Sequence, residues 1–298
     1  MNVGIIGNGA WGQALATLAA KAGHQPRIGF RGERPSGFPG TPNLASLAAE
    51  SELVLIAVPA SAVGAVVTSA ELDAGMRVVL ATRGLVPDTG EWLSDVVLKH
   101  TSCRRVGVLS GPAVSSEVVE GCPTALVIGS EFDEVCSATQ TALHSEQCRI
   151  YTSHDLRGVE LAGAMVRVLG IALGIAEGVN LGVGSRGVIV TRGLAEATRL
   201  GLALGAQAQT FSGLAGVGDL VTCASSSEHP GMAAGRSVSR GGSLSTDMLN
   251  ETKSVLALAR RAGVDMPLTQ AVVAICTGEL RPRLAFDELM RRSARAEG

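Results

Sequence analysis

The chain has 298 residues, of which 46% are hydrophobic and 17% charged; that supports two packed domains and excludes a largely disordered polypeptide. The formal net charge of −2 and an aromatic content of 3% argue against a nucleic-acid binder, which needs a basic face or stacking rings. Six cysteines (Cys103, Cys122, Cys136, Cys148, Cys223, Cys276) form no C-x-x-C pair, and five histidines show no H-E-x-x-H spacing. Reduced thiols, a cytoplasmic location and no metal are expected.

The first stretch, Asn2–Ile6 (NVGII), reads as a buried strand that starts almost at Met1, so no signal peptide is expected. Gly7, Gly9 and Gly12 follow as G-x-G-x-x-G, and residues 13–22 read as a helix with small residues toward the sheet. Strand, glycine turn and helix in that order predict dinucleotide binding. Gly7 permits the tight turn, Gly9 admits the pyrophosphate, and Gly12 allows helix and strand to pack closely. The helix N-terminus offers N–H groups to the phosphates.

Residues 26–30 (PRIGF) form the second predicted strand. An acid at its end would select the ribose 2′-hydroxyl and an arginine the 2′-phosphate. Arg31 stands there, with Glu33 and Arg34 slightly beyond, so NADP is favoured over NAD. Residues 32–43 are a Gly/Pro loop and Leu44–Ala49 a short helix. Strands are predicted at 52–58, 76–81, 105–109 and 124–128, with helices at 61–69 and 92–99. The alternation predicts a mostly parallel, doubly wound sheet with right-handed crossovers.

After about His154 no strand is predicted. Helices are expected at 156–179, 187–204, 250–262, 268–277 and 285–292, giving an all-α second domain (154–298) behind a Rossmann-type first domain (1–153). The apolar run 158–179 contains Glu160, Arg167 and Glu177, so it reads as a buried helix and no membrane span is expected. Glu160 and Glu177 are read as helix partners. Asp219 follows a glycine-rich turn (Gly213, Gly216, Gly218) and is the leading polar site candidate, with a helix N-cap as its alternative role. Arg167, amid apolar neighbours, should face Glu160, Asp219 or a ligand. His229 could titrate near neutral pH or be a surface residue. No G-x-S-x-G elbow surrounds Ser110 or Ser115, so a hydrolase is not expected.

Taken together, the motifs resemble the NAD(P)-dependent glycerol-3-phosphate dehydrogenases. GNGAWGQALA resembles that family's G-x-G-x-W-G-T-A-L-A. IAVPASAV resembles its AVPS segment and ATRGL (81–85) its ATKGI. LSGPAVSSEVVEGCPTA (109–125), GVELAGAMVRVLGIALGIAEG (158–178) and TFSGLAGVGDLVTC (210–223) are similar to further family stretches. The resemblance implies a Rossmann domain with a helical C-terminal domain (6-phosphogluconate dehydrogenase-like) and a site between them. It implies interconversion of dihydroxyacetone phosphate and sn-glycerol 3-phosphate with NAD or NADP. The implied partner is a small-molecule substrate, and a homodimer is left open.

On the resemblance, cofactor binding falls to Ala10, Trp11, Pro59, Arg83, Ser115 and Glu251, beside Gly7, Gly9, Gly12 and Arg31. Substrate binding falls to Gly111, Ala113, Arg186, Ser227 and His229, and catalysis to Asp219, Arg83 and Arg167. The family's catalytic lysine is missing: AMVR occupies its ALKN stretch, placing Val166 at the lysine and Arg167 at the asparagine. Valine cannot transfer a proton. The family's SRN segment reads Ser227-Glu228-His229, exchanging a phosphate-holding arginine for an acid. GVGSRG leaves Gly184 and Arg186 for the family's asparagine and lysine. The sequence therefore leaves three readings: the family reaction with an altered site, a different small carbonyl or alcohol substrate, or a non-catalytic NADP binder.

Overall fold

The structure is a computed structural model that describes residues 1–226 and 229–291. The chain order is β1 (Asn2–Ile6), α1 (Ala10–Lys21), β2 (Gln25–Gly29), β3 (Gly40–Thr41), α2 (Leu44–Ala49), β4 (Leu53–Ile56), α3 (Val63–Ser69), β5 (Arg77–Leu80) and α4 (Leu93–His100). It continues with β6 (Arg105–Ser110), α5 (Ser115–Glu120), β7 (Thr124–Ser130), α6 (Asp133–Leu143) and β8 (Cys148–Ser153). These strands form one eight-stranded sheet in the order β3-β2-β1-β4-β5-β6-β7-β8. Every pairing is parallel except β6 with β7. The strand order reverses at β1, so the α/β half is doubly wound as its alternating pattern predicts.

Both faces of the sheet are covered, which is why the central strands are continuous apolar runs. In β1, Val3 and Ile5 enter a core with Leu15 and Leu18 of α1, while Ile6 enters the opposite core with Val63 and Val67 of α3. β8 and α6 escape the sequence reading. In β8, Cys148 and Ile150 are buried while Tyr151 is half exposed, the weak alternation of an edge strand. α6 is mostly polar, yet Val135, Cys136, Thr139, Ala142 and Leu143 are buried at helical spacing.

From Leu156 onward the regular elements among the described residues are all helices. α7 (Leu156–Gly178) is followed by α8 (Gly182–Ala203), α9 (Ala208–Ser212), a π-helical turn (Leu214–Gly218), α10 (Asp219–Ser225) and α11 (Pro230–Ser239). α12 (Thr246–Arg261), α13 (Pro267–Cys276) and α14 (Pro282–Arg291) complete it. Among the described residues α7 alone is long and apolar enough to cross a membrane, and 94% of its apolar window is buried in the protein. Its glycines explain the composition. A Cβ at Gly174 would stand 2.2 Å from the Met232 carbonyl oxygen, and one at Gly235 of α11 2.2 Å from that of Ile171. The two backbones approach too closely for side chains.

Buried carboxylates tie α7 to its surroundings. Glu160 accepts from the Ser94 N–H (3.1 Å) and Ser94 hydroxyl (2.6 Å) in the first turn of α4, and one turn back on α7 it also pairs with Arg157, whose Nη1 lies 3.8 Å from Oε2. Glu177 does pair across helices, with Arg236 of α11 at 3.2 Å. Asp155 caps α7 through the Gly158 N–H (2.9 Å) and also accepts from the Gln207 N–H (2.9 Å) and Thr210 hydroxyl (2.5 Å). Asp155→Ala strands three donors and should cost about 2–3 kcal/mol. Urea unfolding checks it; a loss below about 0.5 kcal/mol, within the scatter of ordinary surface changes, would contradict it.

Candidate active site

The glycine turn sits at the carboxyl ends of the central strands. Gly7 has φ +125°, and a Cβ there would meet the Ala57 carbonyl oxygen at 2.2 Å. A Cβ at Gly12 would stand 1.9 Å from the Gly7 carbonyl oxygen. Both glycines are thus required by the protein itself. Gly9 differs: a Cβ there would meet nothing within 4 Å. Gly9 also caps α1 without any side chain satisfying the helix N–H groups. An open space in front of free helix N–H groups fits a pyrophosphate. Ala10 is exposed and Trp11 half-buried beside this opening.

Around it, Arg31 is exposed two residues beyond the end of β2, and Asn8 donates to the Glu33 carbonyl at 3.0 Å. Among the described residues Arg31 has no ion-pair partner. Pro59 is exposed after β4, and Ser115 begins α5 after β6. These positions fit a dinucleotide laid across the strand ends.

The polar centre lies where sheet and helices meet. Arg83 follows β5; its Nη2 donates to the Gly111 carbonyl and to Asp219 Oδ1, both at 3.0 Å. Asp219 Oδ2 is also 2.9 Å from Nη2, but the donated hydrogen is directed at Oδ1, and Oδ2 has no donor among the described residues. Asp219 is 2% exposed. Burial pushes its carboxyl up to about 6, opposed by the charge of Arg83. The Ser110 hydroxyl, at the end of β6, is buried without a partner among the described residues. A Cβ at Gly163 of α7 would lie 3.3 Å from Arg83 Cγ and 3.4 Å from that hydroxyl. Glycine on α7 therefore makes room for Arg83. Ala113 N–H closes the turn after β6 on the Gly111 carbonyl at 2.9 Å.

Several expectations change here. The glycine-rich turn before Asp219 is π-helical (Leu214–Gly218), and the Asp219 side chain faces Arg83; the alternative role as a helix N-cap is not taken. Arg167 faces neither Glu160 nor Asp219; its Nε lies 2.8 Å from Glu251 Oε2. Burial pushes the Glu251 carboxyl up, and Arg167 opposes it. Glu251 also stands against Gly84, whose Cβ would lie 3.4 Å from the carboxyl carbon. A cavity of about 10 Å³, room for about one water, adjoins Arg167, Glu251 and Gly84.

His229 is no surface histidine. Its Nδ1 accepts from the Gly231 N–H at 3.2 Å, capping α11, and lies 3.1 Å from Cys223 Sγ. Burial, then Arg83 and Arg167, push it down to about 4, so it does not titrate near neutral pH. Cys223 is pushed up to about 12 by burial and Asp219, so it is a thiol. Cys223 escaped the sequence reading, although its spacing of four from Asp219 places both on one helix face. Val166 is 1% exposed, within one turn of Gly163 and Gly170. Arg186 lies on α8 with no ion pair among the described residues and is not brought to this centre by any contact. Ser227 lies outside the described residues, as does Glu228.

The family model for the C-terminus of NAD-dependent glycerol-3-phosphate dehydrogenase matches residues 155–287, and that for its N-terminus residues 31–136. The chain belongs to the NAD-dependent glycerol-3-phosphate dehydrogenase family. The glycerol-3-phosphate dehydrogenase [NAD(P)+] of Methylibium petroleiphilum is 39% identical, with 100% of this chain and 99% of the relative covered. That of Ralstonia nicotianae is 36% identical, with 100% and 99% covered. The crystal structure of glycerol-3-phosphate dehydrogenase from Coxiella burnetii superposes with a TM-score of 0.89 at 30% identity, covering 98% of this chain and 99% of that one.

Membership makes this dehydrogenase-family chain an NAD(P)-dependent oxidoreductase of the CH–OH class, with a Rossmann N-terminal domain and a helical C-terminal domain. In this chain the G-x-G-x-x-G glycines are all present, and Val166 is a buried apolar side chain of α7.

Proposed function

We propose that the chain is an NADP(H)-preferring dehydrogenase that interconverts a small uncharged ketone and a secondary alcohol. Dihydroxyacetone phosphate and sn-glycerol 3-phosphate, the pair of its relatives, are then poor substrates. One observation carries the reading: both arginines at the centre are already paired, Arg83 with Asp219 and Arg167 with Glu251. Two cations against two carboxylates leave no net charge for a phosphate dianion, and pairing either arginine with phosphate would strand a buried carboxylate. Glu228, where the relatives' pattern has arginine, adds to this in sequence. The bound nicotinamide supplies hydride chemistry. The chain's part is to bind the cofactor with residues 1–153, cover the reacting carbon with residues 154–298, and orient the carbonyl oxygen toward Arg83, Asp219 and Ser110. A cytoplasmic location and a homodimer are compatible with this role.

The test is NADPH oxidation with dihydroxyacetone and with dihydroxyacetone phosphate. A higher kcat/KM for the uncharged ketone is expected. A tenfold preference for the phosphate ester would contradict the reading. The enclosed Val166 favours a second reading, a nucleotide binder without turnover; steady oxidation with either ketone excludes it.

The NADP preference rests on Arg31, the exposed cation past β2. Arg31→Ala should weaken NADPH about tenfold, the worth of one charged hydrogen bond, while NADH changes little. Titration calorimetry checks this. Equal losses for both cofactors, or a parent that prefers NADH, would contradict it.

A further inference from the structure

We propose that Asp219 gives the proton to the substrate's carbonyl oxygen, and takes it back from the alcohol, in place of the missing lysine. The proposal rests on the dehydrogenase reading above and deepens it by naming the acid.

The geometry narrows the choice to this carboxyl. Among the described residues at the centre, two polar oxygens are buried without a hydrogen-bond donor or acceptor: Asp219 Oδ2 and the Ser110 hydroxyl. A third orphan, Arg77 Nε, lies at the start of β5, away from the centre. A buried polar atom without a partner is costly, and a bound carbonyl would satisfy one. Oδ1 accepts the Arg83 N–H, and Oδ2, 2.9 Å from the same nitrogen, receives no hydrogen from it, so Oδ2 is the oxygen left to carry a proton outward.

The neighbouring groups cannot replace it. Arg83, from the loop after β5, is engaged with the Gly111 carbonyl and Asp219, and a guanidinium is not a proton donor in catalysis. Arg167 of α7 is an arginine too, and is held by Glu251 of α12. His229, at the head of α11, is neutral above about pH 4 and has Nδ1 occupied. Cys223, one turn along α10, stays a thiol to about 12. Glu251 of α12, its carboxyl also raised by burial, is bound to Arg167, whereas Asp219 has a free oxygen and titrates at about 6. That is the range a general acid needs.

The step balances. With the reduced nicotinamide as the hydride source, a C–H bond would form at the carbonyl carbon while the C=O π pair moves to oxygen. That oxygen takes the proton from the Asp219 carboxyl. Alcohol, oxidised nicotinamide and a carboxylate paired with Arg83 remain, and solvent restores the proton. Reduction therefore needs the protonated form and oxidation the ionised form. Reduction should slow tenfold per pH unit above about 6, while alcohol oxidation should rise to a plateau there.

Two readouts test the assignment on the whole protein with saturating NADP. In the first, carboxyl titration is followed by NMR with carboxyl-labelled aspartate, comparing wild type with Asp219→Asn. A midpoint near 6 that disappears in the variant is expected; a midpoint below about 4.5 for Asp219 overturns the proposal. The second is dihydroxyacetone reduction by NADPH across pH 5–9. Asn keeps an acceptor for Arg83 but carries no titrating proton. Asp219→Asn should lose about 10²–10⁴-fold in kcat together with the limb near 6, leaving NADPH affinity within threefold. Asp219→Glu should retain the limb. Persistence of the wild-type limb in Asp219→Asn overturns the proposal. Should the wild type reduce no ketone, the substrate reading fails, and the carboxyl midpoint alone decides the assignment.

Discussion

Gly9→Val is expected to abolish dinucleotide binding while leaving the protein folded. Gly9 has φ −76° and ψ 176°, extended backbone that valine adopts readily, and a Cβ there meets no protein atom within 4 Å. Stability should change by less than about 1 kcal/mol. The added methyl groups instead fill the space in front of the α1 N-terminus, where the pyrophosphate must lie. A loss of at least about 10²-fold in NADPH affinity is expected, about 2.7 kcal/mol or more. Gly12→Ala provides the contrast. Its Cβ would stand 1.9 Å from the Gly7 carbonyl, so folding itself should suffer. Affinity within threefold of wild type in a folded Gly9→Val protein would show that the turn is structural only.

Val166→Lys is expected to destabilise the protein by about 3 kcal/mol or more and to raise dihydroxyacetone phosphate turnover by less than tenfold. The position is 1% exposed, and the nearby cations Arg83 and Arg167 are already matched to Asp219 and Glu251. A lysine would be buried without a carboxylate to spare, an arrangement that costs several kcal/mol or neutralises the amine. A lysine here is therefore not expected to raise turnover, because the carboxylates around it are already paired with Arg83 and Arg167. Thermal unfolding and steady-state kinetics check both halves. A stable variant with turnover raised 10²-fold would contradict the expectation and mark the site as a family site lacking one side chain.

The fold is legible where a segment's environment matches its composition. β1, β4, β5 and β6 are buried on both faces, so they read as apolar runs, and α7 reads as a core helix because its charges interrupt a small-residue pattern. β8 and α6 are hidden because an edge strand and a surface helix bury only one side. The Gly7, Gly9 and Gly12 roles were readable because each is local: turn, opening and close approach. The polar centre was only half readable. Asp219, Arg83 and Arg167 could be singled out, but their partners come from elsewhere in the chain. Arg83 and Asp219 are 136 residues apart. Glu251 reaches Arg167 from α12, and no local spacing announces either pair. The charge state of His229 likewise depends on burial at the head of α11, where its ring packs against Gly170 of α7.

The most direct measurement follows wild-type protein through NADPH titration and then stopped-flow mixing with dihydroxyacetone phosphate. On the proposed function, saturable NADPH binding with oxidation below about 0.1 s⁻¹ is expected, about 10²-fold under a median enzyme rate, since the space before α1 is open and both central arginines are already paired with carboxylates. Oxidation in the ordinary range of about 1–10³ s⁻¹, or failure to bind NADPH at all, would contradict it.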